Sequence, residues 1–167
     1  MIFNVYTDGS AGVGGSASGA YSAVVECSGR AWLVAGTKVP AKIGGMEVQA
    51  VSAALESIQN FILDEHPMES DSTVMVYTDS MYVVNCATGK FKRIKNLSEW
   101  SQFDRHSKGL EICIQHTNRN TIPQQALCDE LAGKLREATE SLAQESSKTL
   151  FGFCTQQTST SEGPILG

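Results

Sequence analysis

The sequence predicts a single α/β domain built on a five-stranded mixed sheet flanked by helices. Three observations point to this fold class: short apolar runs of strand type, a later change to helical spacing of the apolar residues, and a repeated phrase. That phrase, Val-Tyr-Thr-Asp, stands at 5–8 and again at 76–79, and each copy ends an apolar run on an aspartate. The 167 residues suffice for one domain with a proper core and are too few to expect two.

Three strands are predicted at the start of the chain. Residues 2–7 form the first, and the glycine-rich stretch 9–19 is a turn or loop. Segments 20–27 and 31–39 flank the turn Ser28-Gly29-Arg30, which is the pattern of a hairpin. We therefore expect strands one to three to form an antiparallel meander.

The apolar spacing then changes to steps of three and four, which indicates an amphipathic helix from Glu47 to a breaking region at 64–70. Residues 74–78 are apolar on both faces, as in a central strand. Because a helix precedes this strand, we expect it to lie parallel to the first. The remaining elements before the last helix are predicted as helices at 80–87 and 97–107 and a fifth strand, also parallel, at 111–115.

The last helix begins at Ile122-Pro123, since proline is tolerated in a first turn. Its apolar stripe is Leu127, Leu131, Leu135, Ala138 and Leu142. After about Gln144 the composition turns to Ser, Thr, Gln and Gly, which is typical of flexible segments. The predicted domain thus spans 1–143, and 144–167 form a flexible C-terminal tail.

Composition narrows the functional classes. No apolar run approaches the roughly 20 residues of a membrane helix, and the start does not resemble a signal peptide, so we expect a soluble, cytoplasmic protein. The five cysteines lack paired spacing and are predicted to be reduced thiols. A net charge of −5 argues against a surface that grips a phosphate backbone everywhere, although a local basic patch remains compatible with it.

Four acids are candidates for a shared site. Asp8 and Asp79 end two strands that we expect to be neighbours, Glu47 lies in the first turn of the predicted helix, and Asp129 lies beside the buried face of the last helix. Taken singly, each has an ordinary interpretation: turn or helix-cap residues for the two aspartates of the repeat, complement to a helix dipole for Glu47, solvated surface for Asp129.

Together the four carboxylates favour a divalent metal site. Like charges in contact disfavour ionisation, and a hard cation such as Mg²⁺ or Mn²⁺ reverses that balance because it prefers carboxylate oxygen. Two such ions roughly 3.5–4 Å apart activate water and stabilise the leaving oxygen of a phosphodiester. The predicted chemistry is phosphodiester hydrolysis.

Four segments, in this order, resemble the acid motifs of type 1 ribonuclease H. They are Tyr-Thr-Asp-Gly-Ser (6–10), Met-Glu-Val-Gln-Ala (46–50), Tyr-Thr-Asp-Ser-Met-Tyr-Val (77–83) and Cys-Asp-Glu-Leu-Ala (128–132). The resemblance covers about residues 1–143 and implies a ribonuclease H-like fold and cleavage of the RNA strand of RNA–DNA hybrids with two Mg²⁺ ions, for which Mn²⁺ substitutes.

By this resemblance Asp8, Glu47, Asp79 and Asp129 are the metal ligands and catalytic acids, with Asp8 bridging both ions. We expect a monomer with no obligate protein partner and no membrane association. Two rival interpretations stay open: another nuclease on the same scaffold, such as an exonuclease or a DNA-cutting relative, and a catalytically silent hybrid-binding module.

Two of the chain's departures from the family pattern concern residues expected at the site. The family often carries a mobile histidine about ten residues before its last aspartate, where this chain has Arg119; His116 precedes it by three residues, and either could serve the catalytic loop. Gly44 and Gly45 replace asparagines that in many members contact RNA 2′-hydroxyls, so we expect their backbone amides to contact the hybrid.

A short basic run is the predicted backbone-contacting surface. It consists of Lys90, Lys92, Arg93 and Lys95, with Phe91 interleaved and Trp100 beyond. Basic residues alternating with aromatic ones are typical of nucleic-acid contacts, and the alternative is a solvated helix face. Because the run is short, we expect modest, salt-sensitive affinity.

Overall fold

The computed structural model describes residues 1–15, 17–66, 71–118 and 121–157, with side chains described as far as residue 146. In chain order the elements are β1 (Ile2–Ala11), β2 (Gly19–Cys27), β3 (Arg30–Lys38), α1 (Ile43–Glu65), β4 (Thr73–Thr78), α2 (Met81–Ala87), α3 (Leu97–His106), β5 (Glu111–His116) and α4 (Pro123–Gln157). These elements confirm the predicted α/β class.

The five strands form one mixed sheet in the order β3-β2-β1-β4-β5. β1 pairs antiparallel with β2 and β2 with β3, whereas β4 lies parallel to both β1 and β5. The predicted meander and the parallel pairing of the two repeat-bearing strands are confirmed. β1 and β4 are central, so their carboxyl ends meet at one edge of the sheet.

The main core lies between the sheet and α1, with α2 and α3 on the same side. Its fully buried members include Phe3 and Val5 of β1, Val74 and Val76 of β4, and Leu55 of α1. Each such side chain contributes about 1.5–3 kcal/mol through burial of apolar surface. Alternate residues of a strand face opposite sides, and the second side of β1 and β2 is covered by α4.

The start of α1 differs from the prediction. The helix begins at Ile43, so Glu47 lies in its second turn and cannot be the first-turn acid that complements the helix dipole. Gly44 and Gly45 occupy the first turn, and two poor helix formers there concealed the start in the sequence pattern. Lys42 precedes the helix as its N-cap and makes no side-chain capping bond.

The last helix, α4, continues to Gln157, so residues 144–157 of the predicted tail are helical, while 158–167 lie outside the described residues. The proposed domain boundary at 143 stays a prediction. Among the helices of the described ranges, none combines the length and apolar character needed to cross a membrane. The four cysteines whose side chains are described, Cys27, Cys86, Cys113 and Cys128, are free thiols.

Candidate active site

The aspartates of the repeated phrase are brought together by two adjacent parallel strands, β1 and β4. Tyr6 of β1 pairs with Tyr77 of β4, and Thr7 pairs with Thr78, so the two copies lie side by side in register. The two tyrosine rings stack with their centroids 5.1 Å apart. Asp8 and Asp79 therefore come directly after the last β1–β4 pair and lie side by side, as predicted. The predicted end of the first strand at Thr7 is wrong, because β1 continues through Asp8 to Ala11 in its pairing with β2.

Glu47 reaches this edge because β1 approaches α1 very closely at Gly9. A Cβ placed on Gly9 would lie 2.6 Å from the backbone nitrogen of Glu47 and 2.7 Å from the carbonyl carbon of Met46. No side chain fits between the strand and the helix at this point, so glycine is required. The glycine that follows Asp8 thus sets the distance between the strand acid and the helix acid.

Asp8, Glu47 and Asp79 form a three-carboxylate cluster, in which one oxygen of each lies within 4.8 Å of the others. Asp8 is 1% exposed and Glu47 7%, while Asp79 is half-buried. Three negative charges this close and this shielded from water repel one another unless a cation is present. An all-carboxylate donor set fits hard divalent cations, so these residues match the metal that the sequence predicted.

Asp129 stands apart from this cluster. It lies on α4, is half-buried, and among the described side chains it falls outside the group within 4.8 Å. The structure therefore brings three of the four predicted acids together. The assignment of Asp129 as the fourth ligand stays a prediction.

Of the two candidates for the catalytic loop, the structure describes His116 and not Arg119. His116 is the last residue of β5, is exposed, and pairs with Thr78, the residue before Asp79, which places it at the same edge of the sheet. Arg119 lies outside the described residues. The choice between them for the catalytic loop stays open.

Gly44 and Gly45 lie beneath Asn96, a residue that the sequence analysis missed. Cβ atoms built on the two glycines would lie 3.1 and 3.2 Å from the Asn96 carboxamide, so this first turn of α1 is closely covered. Asn96 is the N-cap of α3 with a left-handed backbone, φ 53°. Asparagine is one of the few residues that tolerate this conformation, and its place directly before an amphipathic segment was the available signal.

A cavity of about 290 Å³ opens beside this turn, lined by Lys38, Lys42, Gly45 and Asn96 among others. Its floor holds an ion pair between Lys38 and Glu99, which is 6% exposed. Burial raises the pKa of Glu99, but hydrogen bonds from Lys38 and Ser98 outweigh this effect and hold the pKa below its ordinary value. Met46, the residue before Glu47 of the acid cluster, also lines this cavity.

The basic run lies in the connection between α2 and α3 and not on a helix, so the alternative of a solvated helix face is wrong. Lys90, Lys92 and Lys95 are exposed, as a backbone-contacting surface requires. Arg93 is engaged within the protein: it donates to Asp104 at 2.6 Å and lies 4.1 Å from the ring centre of Trp100. Contact of the three lysines with nucleic acid stays a prediction.

The prediction that Trp100 offers a surface to nucleic acid is wrong. Trp100 is 2% exposed, because it packs on Phe103 and lies beneath Arg93 and Tyr82. Its indole Nε1 donates to the Tyr82 hydroxyl at 3.1 Å. The residue belongs to the core that supports the basic connection.

Replacing Tyr82 by phenylalanine is expected to lower the free energy of unfolding by about 1–3 kcal/mol. The Tyr82 hydroxyl accepts from Trp100 and from Asn96 Nδ2 and donates to the Lys95 carbonyl, and its loss leaves the buried indole N–H unpaired. Urea denaturation measures the change. Tyr77→Phe is the control, because it retains the ring stack; equal stability of the two variants would contradict the prediction.

The chain resembles known proteins in sequence and in fold. A family model described as RNase H matches residues 2–137. A ribonuclease H of Helicobacter pylori (strain HPAG1) is 26% identical over 129 residues, covering 77% of this chain and 88% of that protein.

Two solved structures show the similarity of fold. LC11-RNase H1 in complex with an RNA/DNA hybrid matches with a TM-score of 0.68 and 19% identity, covering 82% of this chain and 98% of that one. RNase H1 of the halophilic archaeon Halobacterium salinarum NRC-1 matches with a TM-score of 0.63 and 22% identity, covering 83% and 99%. The predicted fold is confirmed.

Proposed function

The chain belongs to the RNase H family of hydrolases, and we propose that it is a metal-dependent endoribonuclease that cuts the RNA strand of RNA–DNA hybrids. The observation that carries this proposal is the approach of carboxylate oxygens of Asp8, Glu47 and Asp79 to within 4.8 Å of one another. The family match covers most of the chain and includes all three acids.

Two Mg²⁺ ions, with Mn²⁺ as a substitute, are the proposed cofactors. Asp8, Glu47 and Asp79 would hold them, and Asp129 would complete the ligand set from α4. When bound, such ions activate water as a nucleophile and offset charge on the phosphodiester. The chain's own contribution is to fix the acids on two central strands and one helix, which keeps them in place without metal.

An RNA–DNA hybrid is the proposed substrate. LC11-RNase H1, which shares this fold, has been solved with an RNA/DNA hybrid. Around the acid cluster, the half-buried Gly44 in the first turn of α1 supports contact with the RNA strand, because it lies three residues before Glu47, whereas Gly45 is buried beneath Asn96. The exposed lysines of the α2–α3 connection supply positive charge on a chain whose net charge is −5, so we expect cleavage to weaken as salt rises.

Cleavage of end-labelled duplexes tests this proposal. We expect internal cuts in the RNA strand of the hybrid in Mg²⁺ or Mn²⁺, none in EDTA, and no cleavage of duplex DNA or duplex RNA of the same sequence. Products shortened stepwise from one end would indicate an exonuclease, and cleavage of duplex DNA alone would indicate a DNA-cutting relative. Hybrid binding without cleavage by any metal would identify a catalytically silent module.

A further inference from the structure

We propose that Gln125 is a positioning residue that fixes Asp129 of α4 relative to Asp8 of β1. The proposal rests on the proposed function, in which Asp129 is the fourth metal ligand. Three hydrogen bonds join α4 to the strands at the level of Asp8. We call them the α4 latch: Gln125 to Thr7, Cys128 to Tyr6, and Ser22 to Cys128.

The first bond of the latch acts on the residue before Asp8. Gln125 Nε2 donates to the Thr7 carbonyl oxygen at 2.7 Å, and Gln125 is 1% exposed. A bond this short and this shielded from water holds the first turn of α4 against β1 at Thr7. The Thr7 carbonyl belongs to the peptide bond that joins Thr7 to Asp8, so this hydrogen bond fixes the position of α4 relative to Asp8.

The other two bonds pass through Cys128, the residue before Asp129. The Cys128 thiol donates to the Tyr6 carbonyl at 3.2 Å, and its own carbonyl accepts from Ser22 Oγ at 2.7 Å. Ser22 is the partner of Asp8 in the β1–β2 ladder. Residues three apart on a helix share a face, so Gln125 and Cys128 together fix both the height and the rotation of α4 here.

The position of Asp129 depends on this attachment because no strand carries it. The other three acids are close together through β1, β4 and the contact at Gly9, whereas Asp129 lies outside their 4.8 Å group. A shift of α4 along the sheet would change the distance between Asp129 and Asp8. The α4 latch opposes such a shift and so fixes that distance.

Gln125 also shows a feature that simple packing does not explain. Its Oε1 is buried and, within the described residues, has no hydrogen-bond partner. A buried carbonyl of this kind costs free energy, which an apolar side chain of similar size would avoid. The amide donor is therefore what the position requires.

Gln124 supplies a matched control. It is the neighbouring residue on α4, and its Nε2 donates to Glu26 Oε1 of β2 at 2.8 Å. Glu26 pairs with Asn4, four residues before Asp8, so this bond joins the same helix to the sheet away from the acids. Gln124→Leu removes an equivalent attachment and leaves the latch intact.

The experiment compares Gln125→Leu with Gln124→Leu, each in the wild-type and in the Asp129→Asn background. Calorimetric titration of the metal-free proteins with Mn²⁺ is the primary readout, and the Mg²⁺ concentration for half-maximal hybrid cleavage is the second. We expect Gln125→Leu to weaken Mn²⁺ binding by about 10-fold or more, as for other residues that orient a metal ligand, with the KM for hybrid unchanged. Gln124→Leu should leave Mn²⁺ binding unchanged.

Coupling to Asp129 is the deciding comparison. If Gln125 acts through Asp129, then Gln125→Leu adds nothing to the loss of Mn²⁺ affinity in the Asp129→Asn protein. An equal loss in both backgrounds, or equal effects of the two leucine variants, would overturn the proposal. Should Gln125→Leu fail to fold by circular dichroism, Ser22→Ala removes another bond of the latch and must show the same coupling.

The failure of this proposal and that of the proposed function give different results. If the wild-type protein cuts no hybrid, but Gln125 and Asp129 are coupled in Mn²⁺ binding as expected, the proposed function is wrong and the positioning role is supported. If the wild-type protein cuts hybrid and Gln125→Leu does not change Mn²⁺ binding, only the positioning role is wrong.

Discussion

Replacing Asp79 by asparagine is expected to abolish hybrid cleavage and at the same time to stabilise the metal-free protein. Asp79 contributes one of the three carboxylate oxygens that lie within 4.8 Å of one another, and two of the acids, Asp8 and Glu47, are almost fully buried. An amide keeps the shape of the side chain and removes its charge. Loss of one ligand should lower kcat/KM by at least about 10²–10³-fold, since electrostatic stabilisation at the reacting phosphate is lost.

Activity should fall while the stability of the metal-free protein rises, because removing one negative charge lowers the repulsion among the three carboxylates. In EDTA we expect the free energy of unfolding to rise by about 1–2 kcal/mol, because the substitution removes one of three neighbouring negative charges. In saturating Mg²⁺ we expect the wild-type protein to be the more stable of the two, because Mg²⁺ binds to its folded state. Urea denaturation in both buffers measures this crossover.

Asp71→Asn is the matched control for this experiment. Asp71 is exposed and precedes β4, whereas Asp79 follows the same strand, so the control makes the same change of charge at the far end. It should alter neither cleavage nor the Mg²⁺ dependence of stability. Undiminished cleavage by Asp79→Asn would show that the site lies elsewhere, and lower stability in EDTA would show that the carboxylates do not repel one another.

The central acids could be predicted from sequence because their placement depends on local patterns. Asp8 and Asp79 each follow the apolar run in which β1 and β4 pair, and the helix that precedes β4 makes these strands parallel neighbours. The carboxyl ends of parallel neighbours meet at one edge, whatever the rest of the fold does. Glu47 followed from the helical stripe that begins beside it, even though the start of α1 was misplaced.

Other features depend on contacts between distant parts of the chain and left no local pattern. Trp100 looked like a surface aromatic because basic residues precede it, yet Arg93 and Tyr82 cover it in the fold. The bond from Gln125 to Thr7 joins residues 118 apart in sequence, and no periodicity marks it. Sequence reasoning thus identified the acids and missed the groups that hold them in place.

Replacing Gly9 by alanine is expected to reduce cleavage by on the order of 10²-fold and the free energy of unfolding by about 1–3 kcal/mol. The added Cβ would lie 2.6 Å from the backbone nitrogen of Glu47 and 2.7 Å from the Met46 carbonyl carbon. Both are backbone atoms, so no side-chain rotation relieves the overlap. β1 and α1 must move apart by about 1 Å to reach ordinary contact distance.

That movement separates Asp8 from Glu47, and this explains why activity should fall more than stability. Hybrid cleavage well below the melting temperature, together with urea denaturation, separates the two effects. Gly133→Ala on α4 is the control: within the described part of the chain, no atom beyond the neighbouring residues and backbone of its own helix lies within 4 Å of the added Cβ, so we expect unchanged cleavage and a stability gain of up to about 1 kcal/mol. If Gly9→Ala loses stability and keeps full activity, the Asp8–Glu47 distance does not limit cleavage. If it loses neither, the close approach of β1 and α1 is wrong.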